Sequence, residues 1–162
     1  MEHRNDLGKY YQEHYKKGVG VEVGVQYGYF SQAILRDWKG ELKCVDVWSD
    51  PSVYAQAVAN LGEKRLIRKS SVEAANDFKA GSLDFVFIDA NHTYESVKQD
   101  IEAWFPKVRK GGVISGHDYC VYQDFGVIQA VDEFAAKHGY KVELTDHDMW
   151  EGINFKSWYF IK

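Results

Sequence analysis

Cysteine and proline are scarce in this sequence, with two of each among 162 residues. Cys44 and Cys120 cannot supply a disulfide framework, and each reads as a small buried hydrophobe. With only Pro51 and Pro106, and no low-complexity stretch or internal repeat, nothing marks an interdomain linker. The chain is read as a single domain, residues 1–17 forming an N-terminal helical segment and 18–162 the core. No apolar run approaches the roughly 20 residues of a bilayer-spanning helix. The opening stretch MEHRNDLGKYYQEHYKKG has no apolar h-region, so a cytoplasmic location without a membrane partner is expected. Positive charge is not in excess either. A formal net charge of -4 gives no field for a phosphate backbone, so no nucleic-acid partner is expected. The basic runs EKRLIRK and FPKVRKGG read as solvated element ends.

What the chain has is alternation. GVGVEVGV is a short β-branched run ending in Gly, and YFSQAILRDW carries apolar residues at helical spacing. ELKCVDVW is a second strand, and PSVYAQAVANLG a helix with Pro near its start and Gly after its end. KRLIRKS and SVEAANDF continue the pattern. SLDFVFIDA is the clearest strand, followed by the amphipathic TYESVKQDIEAWFPKVR. GGVISGH and GVIQAVDEFAAKHG make one more strand and helix. The tail, KVELTDHDMW and NFKSWYFIK, reads as two strands with no helix between them. Near-continuous apolar strands separated by helices imply an α/β, doubly wound parallel sheet covered on both faces, with an antiparallel hairpin on one edge. Ligands in such sheets bind at the carboxyl ends of the strands.

Several strand ends carry chemistry. VEVGVQYGYFS places Glu22 inside the first strand and Gly24 and Gly28 in the turn after it, where glycine allows close backbone approach or positive φ. Asp46 ends the second strand, where a carboxylate can accept from ribose hydroxyls. A tight βα turn and a helix cap explain the same residues. The spacing is not G-x-G-x-x-G, because Gln26 stands two after Gly24, which weakens a dinucleotide fold. An acid at Glu22 suits a cationic ligand better than a phosphate.

VEVGVQYG resembles the first motif of class I S-adenosylmethionine-dependent methyltransferases, VDVW their ribose-binding motif, and SSVEAA the loop beside the adenine. The resemblance spans residues 18–162. It implies a Rossmann-like sheet of strand order 3-2-1-4-5-7-6, the last pair an antiparallel hairpin, with S-adenosylmethionine as cofactor. It assigns Glu22, Gly24, Gly28, Asp46, Val47, Ser71, Val72 and Asp89 to cofactor binding.

Two neighbouring strands end in aspartate and histidine, in IDANHTY and ISGHDY. The stretch from DFVFIDANHTY to GGVISGHDY is similar to small metal-dependent O-methyltransferases of the macrocin O-methyltransferase kind. That resemblance implies a divalent metal, Mg²⁺ or Mn²⁺, on Asp89, His117 and Asp118, with His92 as general base. A metal-bound hydroxyl is acidified and positioned for in-line attack, and a histidine near its working pKa takes the proton. His117 stands where those relatives carry an acid, and adjacent strand residues converge only where the strand has ended. A helix cap at Asp89, a loop bond at His92 and an Asx turn at Asp118 are the alternative reading of this cluster.

The expected partner is a small-molecule methyl acceptor such as a sugar hydroxyl, and the edge hairpin is a docking surface compatible with a homodimer. The competing function is a non-catalytic or differently reacting Rossmann-like domain that binds S-adenosylmethionine or a related nucleotide. Tyr10, Tyr11 and Tyr15 are expected on one face of an N-terminal helix, with Tyr27 near the cofactor. The acids of DHDMWEG and Trp150 are candidates for the acceptor rim.

Overall fold

The computed structural model describes residues 3–146, 149–150 and 152–162. After a 3₁₀ turn and helix α1 (Leu7–Tyr15), strand and helix alternate as the apolar pattern requires: β1 (Val19–Val23), α2 (Tyr29–Asp37), β2 (Glu41–Asp46), α3 (Pro51–Leu61), β3 (Leu66–Arg68), α4 (Ser71–Ala75), β4 (Leu83–Ile88), α5 (Tyr94–Trp104), β5 (Val108–Tyr119) and α6 (Val127–His138). Short β6 (Glu143–Leu144), β7 (Met149–Trp150) and β8 (Ile153–Asn154) precede β9 (Lys156–Ile161). The main sheet has the order β3-β2-β1-β4-β5-β9-β6. Since β7 and β8 pair only with each other, this is the expected 3-2-1-4-5-7-6 with one small hairpin inserted. β9 runs antiparallel to both β5 and β6.

Strand alternation divides the core between two faces. Phe85 and Phe87 of β4 pack with Tyr11, Trp38 and Trp48 under α1 to α3. Val86 and Ile88 face the other way, toward Ile101, Trp104 and Trp158 beneath α5 and α6. The Tyr11 ring stacks on Phe85 at 3.6 Å, and its hydroxyl lies 3.2 Å from Ser115 Oγ on β5. The N-terminal helix is therefore bound to the sheet, as its tyrosines suggest. Cys44 and Cys120 are both free and buried, on strand β2 and just beyond β5 with β1 and β4 between those strands.

Three boundaries differ from the sequence reading. The helix expected to reach Arg109 stops at Trp104, where a 3₁₀ turn takes over at Phe105–Lys107. Pro106 lacks the N–H that another α-helical turn would use. β5 therefore begins at Val108 and runs through the Gly pair. Among the described residues, the expected edge strand KVELTDHDMW keeps only Glu143–Leu144 in the main sheet. No helix among the described residues is long and apolar enough to cross a membrane.

Candidate functional site

The carboxyl ends of β1, β2 and β4 open into a cavity of about 900 Å³. Its first wall is the loop after β1. Gly24 (φ +85), Gln26 (φ +51) and Gly28 (φ +84) all take left-handed backbone, so the chain doubles back tightly before α2. A Cβ on Gly24 would overlap the carbonyl of Asp89, which fixes how closely the β1 loop and the end of β4 approach. Gln26 bears the side-chain cost of that conformation, about 1 kcal/mol. Gln26→Gly should therefore raise stability by up to about that amount in a thermal or denaturant melt, with ligand binding retained.

Asp46 holds this loop as much as it faces the cavity. Its Oδ2 accepts from the backbone N–H groups of Val25 and Gln26, both at 2.9 Å, and Oδ1 accepts from Trp48 N at 2.9 Å. A carboxylate offers about four lone-pair sites, so one is left for a ligand hydroxyl rather than the pair expected from sequence. The Trp48 indole donates to the Gln26 carbonyl at 2.8 Å and props the same loop. Nothing in the sequence pattern marked Trp48 for this task.

Glu22 forms part of the floor, almost fully buried. Ser31 Oγ donates to its Oε2 at 2.5 Å. Burial pushes its carboxyl up to about 8, partly offset by the Ser31 hydroxyl, so it is largely neutral at pH 7. Val47, Ser71, Val72 and Asp89 also line the cavity. Gly28 does not. It turns the chain into α2 at φ +84 and faces Leu61.

At one end of the cavity the two Asp/His strand ends meet. Asp89, His92 and Asp118 each present a ligand atom, and these atoms lie within 4.8 Å of one another. His92 Nε2 is 2.8 Å from Asp118 Oδ2 and 3.6 Å from Asp89 Oδ1. Yet this buried nitrogen has no partner in hydrogen-bond alignment. The Asp118 carboxylate, and then Asp89, stabilise the imidazolium and push the His92 pKa up to about 9. Burial alone would raise the Asp118 carboxyl, but the imidazoles of His117 and His92 outweigh it and hold the group well below the usual carboxylate range.

The three groups that converge are not the set Asp89, His117 and Asp118 that the resemblance implied for a metal. His117 is not one of the three, but its Nδ1 is 3.1 Å from Asp118 Oδ1, and it borders a small void that Asp89 and His92 also line, with Ile88, Val97, Val127 and Trp158. The cause is an irregularity in β5. Pairing with β9 slips between Gly116 and Tyr119, and Asp118 takes φ +57, which swings its carboxylate toward His92.

Arg4 and Asp100 are among the cavity residues that the sequence did not single out. Arg4, just before α1, brings its guanidinium 3.7 Å from Asp89 Oδ2 and 5.2 Å from the Phe30 ring centre. Asp100 reaches the cavity from α5. Tyr27 lines it as expected, and its ring sits 5.7 Å from that of Tyr29. Of the proposed acceptor rim, Asp148, Glu151 and the Trp150 side chain lie outside the described residues.

Comparison with known proteins agrees with this architecture. Residues 21–119 match the model of a family described as "Methyltransferase domain". The chain belongs to that family. As a class I methyltransferase domain it is also similar to an uncharacterized protein, y4gI, of Sinorhizobium fredii, with 34% identity over 160 residues. That match covers 82% of this chain and 18% of the relative, so the domain spans about a fifth of the relative's length. Among solved structures, a candidate rRNA methylase from Clostridium thermocellum superposes with a TM-score of 0.76 at 14% identity, covering 100% of this chain and 98% of its own. A precorrin-6y C5,15-methyltransferase from Geobacter metallireducens gives 0.71 at 18% identity, with 98% and 87% covered. An O-methyltransferase from Bacillus cereus, in complex with S-adenosylhomocysteine, gives 0.68 at 16% identity, with 98% and 80% covered. At such identities the likeness is one of fold, and the acceptors named for these proteins differ from one another.

Proposed function

We propose that this methyltransferase domain transfers a methyl group from S-adenosylmethionine to a hydroxyl of a small molecule, assisted by a divalent metal at Asp89, His92 and Asp118. The observation that carries this reading is the convergence of those three side chains at the edge of the cavity. A His-and-two-carboxylate set fits a divalent cation, and the unaligned buried Nε2 of His92 is a donor without a well-placed acceptor. One nitrogen among oxygens moves preference from Mg²⁺ toward Mn²⁺ and its neighbours. When bound, the metal would acidify the acceptor hydroxyl, whose proton would pass to solvent, because His92 as a ligand would not serve as the general base that the resemblance implied.

The remaining work falls to the chain's own groups. The Gly24 turn admits the cofactor against the strand ends, and Asp46 supplies one acceptor to the ribose. Burial keeps Glu22 largely neutral, and a sulfonium beside it would favour its ionised form. Arg4 offers a counter-charge for the cofactor carboxylate. A sugar hydroxyl suits this polar end of the cavity. The net charge and the absence of a basic stripe favour it over nucleic acid.

S-adenosylhomocysteine should bind with micromolar affinity in calorimetry, and NAD at least about 100-fold more weakly. Comparable binding of the two would return the domain to the competing reading, a Rossmann-like module for nucleotides in general. Metal binding should also depend on pH with a definite sign. His92 must lose its proton before it can donate to a cation, and its pKa of about 9 means that it holds that proton at neutral pH. Apparent Mn²⁺ affinity should therefore climb by close to tenfold per pH unit from about pH 6 to 8 and level off above about 9. A flat profile would show that His92 is not deprotonated on binding.

A further inference from the structure

Asp100 is a buried acid without an evident structural need. It sits midway along α5, where Val97, Ile101 and Trp104 face the core while Ser96, Gln99 and Asp100 line the cavity. Only 5% of Asp100 is exposed. No lysine or arginine among the described residues pairs with it, and Ser71 is its one hydrogen-bond partner to influence its titration. Burial pushes its carboxyl up to about 6, against the opposing effect of the Ser71 hydroxyl. Ser71 is itself fixed, because Trp104 Nε1 donates to its Oγ at 3.0 Å. The serine's single proton is therefore directed at Asp100, which leaves further acceptor capacity on a carboxyl that lines the cavity.

The position of Asp100 indicates what those sites meet. Asp46 marks the ribose, and Val47 and Val72 stand beyond it as exposed apolar side chains, 56% and 43% accessible, on the cavity lining. Apolar side chains flanking a slot suit the faces of a flat ring. The polar groups at the same end, Ser71 and Asp100, suit its edge. An adenine edge presents an exocyclic amino donor beside a ring-nitrogen acceptor. A carboxylate accepts from the amino group, and its protonated form can also donate to the ring nitrogen.

We propose that Asp100 reads the 6-amino edge of the cofactor's adenine, with Ser71 holding its carboxyl in place. This rests on the cofactor reading above and assigns base specificity to a residue outside the loops after the strands. The competing role is purely structural, in which Asp100 pins the start of α4 through Ser71.

The two roles separate when S-adenosylhomocysteine is compared with S-inosylhomocysteine, in which a carbonyl replaces the 6-amino group. Calorimetry on the wild type should show a preference for the adenine form of about 10- to 100-fold, the range of one charge-assisted hydrogen bond. Asp100→Asn keeps a side chain that can accept from Ser71 and adds an N–H that can meet a 6-carbonyl. Its preference should collapse to near unity or reverse. Asp100→Ala should lose affinity for the adenine form and little for the inosine form. If both variants weaken the two ligands by the same factor and keep the wild-type preference, Asp100 only holds the loop and the assignment is overturned. Equal wild-type affinity for both ligands overturns it too, leaving the cofactor reading intact. Binding of neither ligand defeats the cofactor reading itself, and the assignment with it.

Discussion

Gly24→Ala should reduce S-adenosylhomocysteine affinity by at least about 100-fold and lower folding stability by about 2–4 kcal/mol. Two independent effects combine at this position. The backbone holds φ +85, which an L side chain tolerates poorly, and the new methyl would overlap the Asp89 carbonyl. Neither can be relieved locally. Gly24 N donates to Val45 O at 2.9 Å and Asp89 N to Val23 O at 2.7 Å, so the loop and the end of β4 are each tied to a neighbouring strand. Moving them apart also displaces Asp89 from the His92 and Asp118 side chains. Gly28→Ala is the control. It meets only the Leu61 side chain and lies off the cavity lining, so its cost should appear mainly in the melting temperature. Near-wild-type cofactor affinity in Gly24→Ala would show that this turn is not the cofactor's approach surface.

Asp118→Ala should abolish metal binding, by about 1000-fold or more. It removes a ligand and leaves His92 with one carboxylate 3.6 Å away in place of two. The His92 pKa should fall from about 9 toward the usual value near 6.5, which an NMR titration of the imidazole would follow. His117→Ala should do less. The ring contacts Asp118 Oδ1 at 3.1 Å and orients the carboxylate from behind, and loss of such support costs about 10- to 100-fold in affinity. The contrast between the variants discriminates the two ligand sets. Should His117→Ala eliminate Mn²⁺ binding as completely as Asp118→Ala, the set read from the sequence motif, Asp89 with His117 and Asp118, would be restored.

The fold was legible because its signals are local and repeated. Each of the longer strands is a short apolar run, and most helices carry core residues at helical spacing, so element order followed, while strand order came from the resemblance to the methyltransferase family. Boundaries failed where a single residue overrode periodicity, as Pro106 does at the end of α5. The site was half legible. Gly24, Asp46, Asp89 and Asp118 stand at strand ends, where position alone nominates them. That His92 rather than His117 stands with Asp89 and Asp118 was not legible, because strand alternation ignores the slip in β5, and a positive φ at Asp118 leaves no trace in sequence. Asp100 was invisible for another reason. An acid on an amphipathic helix reads as solvent-facing, and only the packing of α5 beside Ser71 buries it. Arg4 lay in a segment without strand or motif, and it reaches the cavity through the anchoring of α1 by Tyr11.

The most direct test of the account is anomalous diffraction from crystals of the chain grown with S-adenosylhomocysteine and Mn²⁺. The ligand should lie in the cavity along the Gly24 turn, with one anomalous peak within about 2.5 Å of Asp89, His92 and Asp118 and with His117 outside that distance. Bound S-adenosylhomocysteine with no peak among those three side chains would contradict a metal-assisted transfer.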